Sequence, residues 1–266
     1  MTRLILTTDD SGAGTLRTAK IADIVIPFGL RLVWGPLPSD AELATLLEAR
    51  STRHGSPDPH WLDFVPPHRL EEMEGKDLGL IDFCEPCEAI ELWIDPDPNS
   101  QLTLVWLLDY LRRHAGIVSK LTLVQADVHI GNHSPEELAR WQLPVVKILH
   151  DHLETASAAW QAYRAPTPQD WFNLLGKDLS ILPQLRQTVL ELLEELPLAA
   201  TGLGATEMRM LELISAGNAG PFDVFPGHRA LNKRRVFGYW EIGSLLDLLE
   251  SFRFCLNRGI PKSAAF

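Results

Sequence analysis

Cysteine is scarce in this chain: Cys84, Cys87 and Cys255 are the only three in 266 residues, too few for a disulfide framework at this size. Long apolar runs are missing too. No stretch approaches the roughly 20 residues that a membrane-spanning helix needs, so no membrane association is expected. The N-terminus lacks a basic segment followed by an apolar run, which argues against a secretory signal and makes a cytoplasmic protein the expectation. Positive charge is the minority, 24 Lys and Arg against 35 Asp and Glu, for a formal net charge of −11. The excess is concentrated in residues 71–97, with ten acidic side chains and one basic, Lys76. Such a surface repels a polyanion, so general nucleic-acid binding is disfavoured; its ordinary reading is a solvated acidic face. Neither an internal repeat nor a low-complexity tract is present.

What is there begins at the N-terminus. Residues 3–8 form a short apolar, β-friendly run, followed by Asp9-Asp10-Ser11-Gly12-Ala13-Gly14-Thr15. The pattern predicts a buried strand, a tight polar turn with Asp10 or Ser11 as N-cap, and a helix over about 14–22. Strands are expected at 24–27, 89–94 and 120–124, with a further extended piece at 32–38. Helical composition marks 40–50 and 101–114. Residues 54–67 carry four prolines and read as an irregular excursion. Strands separated by helices imply a largely parallel sheet covered on both faces.

After Asn132 the texture becomes helical. Ser134-Pro135-Glu136-Glu137 fits a helix start with Ser as cap and Pro at the first position. Further helices are expected over 145–163, 179–196, 206–214 and 240–256. The expected organisation is an α/β domain over 1–133, a helical segment over 134–200 and a small module over 201–266.

Four segments together resemble a bacterial family catalogued as a domain of unknown function, family 1835. The opening strand with Asp10-Ser11, Gly14 and Leu16 is similar to that family's Gly-Asp-Ser turn. Trp34-Gly35-Pro36-Leu37 resembles its Gly-Pro turn, and Glu91-Leu92-Trp93 with Asp95 and Gln101-Leu102 its Leu-Trp strand and Gln-Leu helix start. Gly202-Leu203 with Thr206-Glu207 and Leu211 is similar to the start of its C-terminal module. One departure is Asp9, where the family usually has Gly; it adds a carboxylate beside the turn. The resemblance implies an architecture and brings no settled activity.

The first turn offers N–H groups around residues 12–15 and a positive helix end to an anion, with hydroxyls at Ser11 and Thr15; an ordinary capped turn explains the same residues. It is not a dinucleotide fingerprint, since Arg17 stands where the third glycine belongs. No Gly-Lys-Ser/Thr follows, which excludes a Walker loop, and Asp9 and Ala13 replace the glycines of a nucleophile elbow. A second polar turn carries Asp95, Asp97, Asn99 and Gln101. In a parallel sheet both turns fall on the carboxyl edge, where open α/β sheets bind ligands, and their carboxylates could share a divalent cation. Turn and cap chemistry is the competing explanation.

Cys84 and Cys87 with His129 and His133 have zinc-like local spacings, but the pairs stand about forty residues apart, beyond a compact finger, and incidental thiols and loop histidines account for them. His150 and His152, two apart on a helix, point to different faces; His54, His60 and His68 sit in the proline-rich excursion. The tryptophans fall mostly in apolar segments and read as core. Residues 228–235 (His-Arg-Ala-Leu-Asn-Lys-Arg-Arg) form the concentrated basic run, between two expected helices, an arrangement that suggests a winged-helix-like module.

The reading is therefore an α/β fold with a mostly parallel sheet, a helical segment and a winged-helix-like C-terminal module. A small anionic, phosphate-containing ligand is expected at the carboxyl edge, between Asp10, Ser11, Gly12, Gly14 and Thr15 on one side and Asp95, Asn99 and Gln101 on the other. No residue is assigned as a metal ligand, no cofactor is identified, and no nucleophile or base is found with its partner. The alternative is a regulatory or interaction protein acting through its C-terminal module, with homodimer formation as one form of it.

Overall fold

A computed structural model describes residues 2–51, 60–65, 71, 77–218, 221–224 and 236–257. Its centre is a five-stranded sheet built from β1 (Arg3–Thr7), β2 (Ile24–Pro27), β3 (Ala89–Ile94), β4 (Leu121–Gln125) and β5 (Val145–Lys147). The strands lie in the order β2-β1-β3-β4-β5. The first four run parallel, with Leu6 opposite both Ile26 and Leu92, and Leu92 opposite Leu123; β5 closes one edge antiparallel to β4. The α/β architecture with a mostly parallel sheet is thus the observed one. Because the chain steps from β1 out to β2 and returns to the other side of β1 at β3, the order reverses between β1 and β3. Their carboxyl ends therefore mark the switch point of the sheet, the position where open α/β sheets bind ligands.

Side chains alternate across the sheet. Ile5, Val25, Trp93 and Val124 pack with Ala13 and Leu16 of α1 (Asp10–Thr18) and with Ile130 and Leu138. Leu4, Leu6, Ile90, Leu92, Leu121 and Leu123, in the alternate register, are equally buried. Helix α2 (Pro98–Leu111) packs on α3 (His150–Tyr163). Burial of Leu102, Leu104, Val105, Trp106, Leu107 and Leu108 all round α2 marks a helix enclosed between layers. Glu91 interrupts the apolar run of β3, yet its charge is paired: it accepts from Arg3 Nε at 2.6 Å and Nη2 at 2.8 Å, and from Trp93 Nε1 at 2.8 Å.

Contacts divide the chain into two units, residues 1–190 and 191–266. The first contains the whole sheet and α1 to α3. In the second, Glu195 holds the first turn of α4 (Ala205–Ser215) by accepting from the backbone N–H and the hydroxyl of Thr206, at 3.0 and 2.7 Å. Helix α5 (Tyr239–Asn257) follows; the basic run 228–235 lies outside the described residues. No helix among the described residues is long and apolar enough to cross a membrane.

Three local expectations are corrected. Residues 145–163 are not one helix: Val145–Lys147 pairs with β4 as an edge strand before α3 begins at His150. Residues 32–38 contain no strand, with bends over 33–36, in a segment where Pro36 and Pro38 remove ladder donors. Helix α1 begins at Asp10 instead of about residue 14, and its N-cap is Asp9, whose carboxylate accepts from Gly12 N at 2.7 Å.

Candidate functional site

Three loops meet at the carboxyl edge. Two are the expected turns, after β1 and after β3; the third is the segment after β4, residues 126–132. Close approach binds the first to the third. A Cβ on Gly131 would lie 2.7 Å from Ser11 Oγ and 3.2 Å from Gly12 N, and a Cβ on Gly12 would lie 3.3 Å from Ile130 Cβ. Glycine at Gly131 is what lets this loop sit against the start of α1.

The third loop joins the second through a buried carboxylate. Asp95 is fully buried (0% exposed). Its Oδ1 accepts from Ile130 N at 2.7 Å, and Gln101 Nε2 donates to its backbone carbonyl at 2.7 Å. Its Oδ2 has no hydrogen-bond partner and faces His129 Nδ1 at 3.7 Å. A buried carboxylate oxygen without a donor is costly, on the order of 1–3 kcal/mol or more.

Asp97 completes the group. It is the N-cap of α2, accepting from Ser100 N at 3.0 Å and Ser100 Oγ at 2.6 Å, with Pro98 at the first helical position. Thr8, at the end of the first strand, donates to Ser100 Oγ at 2.8 Å; this fixes the direction of a chain that runs Thr8 to Ser100 to Asp97. Asp97 Oδ2 lies 3.9 Å from His129 Nδ1. Burial pushes the Asp97 carboxyl above the usual aspartate range, against the opposing pull of His129 and the Ser100 hydrogen bonds. One ligand atom from each of Asp95, Asp97 and His129 falls within 4.8 Å of the others, and among the described residues this is the one such group of three.

The expected site residues divide by role. Gly12 and Ser11 lie against the His129 loop. Asp10 is exposed at the start of α1. The N–H groups expected to cradle an anion are largely engaged: Gly12 donates to the Asp9 carboxylate and Ala13 to the Asp9 carbonyl. Gly14 lies inside the helix with open space where a Cβ would be, and Thr15 donates its hydroxyl to Ser11 O. Asn99 clamps the loop after β2, accepting from Leu32 N and donating to Leu30 O, each at 2.7 Å. Gln101 positions Asp95 and is buried. Asn99 and Gln101 therefore build the frame of the edge.

His129 lies outside both expected turns, and Asp97, although in the second polar turn, is not among the residues expected to contact the ligand. The signal for them is topological: in a parallel sheet the first polar residues after every strand share one edge, and His129 follows β4 by four residues. The cysteine–histidine combination is not assembled. Cys84 and Cys87 are buried and form no disulfide, burial pushes the Cys84 thiol well above its usual value, and His133 packs against Trp141 with ring centroids 4.2 Å apart and the planes tilted by 40°. His60 accepts from Leu62 N through Nδ1; His54 and His68 lie outside the described residues. Neither a scan against protein-family models nor a search of curated proteins finds a match to this chain.

Proposed function

We propose that the chain binds a small phosphate-containing anion through a divalent cation held by Asp95, Asp97 and His129 at the carboxyl edge of the sheet. The observation that carries this reading is the Asp95 Oδ2 atom, fully buried, without a hydrogen-bond partner, and turned toward a second carboxylate and an imidazole. A buried charge left in that state is strongly unfavourable, and coordination to a metal is one of the few ways to compensate it. A cation also reverses the local field. Asp9, Asp10, Asp95 and Asp97 together repel an anion, whereas a divalent ion among them attracts one. Asp95 and Asp97 follow β3, one of the two strands between which the order reverses, and ligands of open α/β sheets bind at such a switch point. The resemblance to family 1835 is part of the same proposal, because its Asp10-Ser11 pair and Asp95 follow β1 and β3 at the carboxyl edge.

The test is thermal unfolding of chelator-treated protein with inorganic phosphate or a nucleotide, each with and without divalent ions. Stabilisation by the anion is expected only when an ion is present and is lost in Asp95→Asn. Equal stabilisation in the presence of chelator, or none with any ion, contradicts the reading.

A second reading is a regulatory or interaction role for residues 201–266 with a winged-helix-like form. It is favoured by the exposure of Trp240 (79%) and Tyr239 at the start of α5. Changing Lys233, Arg234 and Arg235 to Glu is then expected to abolish a salt-sensitive association. The absence of any association of the unmodified chain at low salt removes this reading.

A further inference from the structure

The donor set carries the reading one step further. We infer that the cation site selects a borderline transition ion of the Zn2+, Fe2+ or Co2+ class over Mg2+ and Ca2+, and that the bound ion keeps an open coordination position. This inference rests on the cation site proposed above and specifies its metal.

The first reason is chemical. Imidazole nitrogen suits zinc and iron, whereas Mg2+ and Ca2+ are served by oxygen alone. His129 Nδ1 stands 3.7 Å from Asp95 Oδ2 and 3.9 Å from Asp97 Oδ2, so nitrogen is built into the centre of the set. A hard-cation site gains nothing from an imidazole there.

The second reason is the number of oxygens on offer. Ca2+ takes about six to eight of them, often with a bidentate carboxylate. Asp95 Oδ1 is already taken by Ile130 N–H, which leaves Oδ2 as a single donor. Both Asp97 oxygens accept from Ser100, and the hydroxyl that reaches Oδ2 is itself held by Thr8. Asp95 thus presents one unengaged oxygen, and Asp97 faces His129 through Oδ2 while its Oδ1 accepts from the Ser100 N–H. Such hydrogen bonding to the ligands also fixes their orientation before the ion arrives.

The third reason is incompleteness. A closed structural zinc site uses four protein ligands, while an open site supplies three and leaves a position for water or a ligand oxygen. Asp95, Asp97 and His129 are three. The vacant position is where the phosphate oxygen of the proposed ligand coordinates, so the same count that selects the ion also accounts for anion binding.

The experiment uses the chelator-treated full chain, titrated separately with Zn2+, Co2+, Mg2+ and Ca2+ by calorimetry. Zn2+ and Co2+ are expected to bind about tenfold or more tighter than Mg2+ or Ca2+. His129→Ala, at a partly exposed position that leaves the core intact, is expected to remove that preference. Asp95→Asn is expected to weaken all four ions. In the Co2+ form, azide or inorganic phosphate is expected to shift the visible absorption bands as it enters the open position.

If no ion binds the unmodified chain, the cation site itself falls, and this inference with it. If ions bind and Asp95→Asn abolishes binding, but Mg2+ or Ca2+ matches Zn2+ or His129→Ala leaves Zn2+ affinity unchanged, the metal class is overturned and the site stands. Co2+ bands that neither azide nor phosphate moves overturn the open position.

Discussion

Replacing Asp95 by Asn separates stability from binding. The substitution keeps the shape of the side chain and an oxygen acceptor for Ile130 N–H, the one hydrogen bond that the carboxylate makes. It removes the buried charge and the unpartnered Oδ2, and places there an amide able to donate toward the Asp97 carboxylate. Relief of one unsatisfied buried polar group is worth about 1–3 kcal/mol. In a protein of this size each kcal/mol moves the midpoint by roughly 2–4 °C. Urea unfolding in the presence of chelator is therefore expected to show Asp95→Asn more stable than the unmodified chain, and thermal unfolding a higher Tm. With metal present the order is expected to reverse, because only the unmodified chain gains from binding. If Asp95→Asn is destabilised by more than about 1 kcal/mol in chelator, the carboxylate is a structural acceptor whose charge the fold requires, and the reasoning fails.

Two glycines of similar appearance in the sequence are expected to behave oppositely. Gly131→Ala forces a Cβ against Ser11 and Gly12 N and is expected to cost about 1–3 kcal/mol by overpacking. Gly14→Ala meets open space inside α1 and is expected to stabilise by roughly 0.5–1 kcal/mol; urea unfolding of both variants checks the pair, and equal effects refute the close approach at Gly131. Burial holds the His152 imidazole below its usual pKa, and its Nδ1 accepts from Leu149 N at the start of α3. The unfolded chain takes up the proton first, so this contribution is full above about pH 6.5 and is lost as pH falls below it. The stability difference between the unmodified chain and His152→Asn is expected to shrink over that interval, and a difference that does not change with pH contradicts the assignment.

Much of the sheet was legible because its strands are buried on both faces. Leu4-Ile5-Leu6 and Ile90 to Ile94, an apolar run interrupted by Glu91 alone, read as strands, and that is how they lie. Residues 145–147 did not, since a three-residue edge strand with Val145 and Val146 exposed has no periodicity to distinguish it from the helix that follows. The start of α1 was misplaced because Gly12 and Gly14 weigh against a helix. Packing of Ile130 on Gly12, a contact between residues far apart in the chain, overrides that propensity. The site was half legible for the same kind of reason. Asp95 stood out as a polar residue after a buried strand, whereas its pairing with His129 depends on β3 and β4 being parallel neighbours. Proximity in sequence groups Asn99 and Gln101 with it, but their hydrogen bonds go to backbone groups.

Equilibrium dialysis of the chelator-treated full chain against Zn2+ or Mg2+, followed by counting bound metal, puts the cation site to its sharpest trial. The expected result is one ion per chain that is missing in Asp95→Asn and in Asp97→Asn, both shown to be folded by circular dichroism. An unmodified chain that binds no ion, or an ion retained in full by both variants, would contradict it.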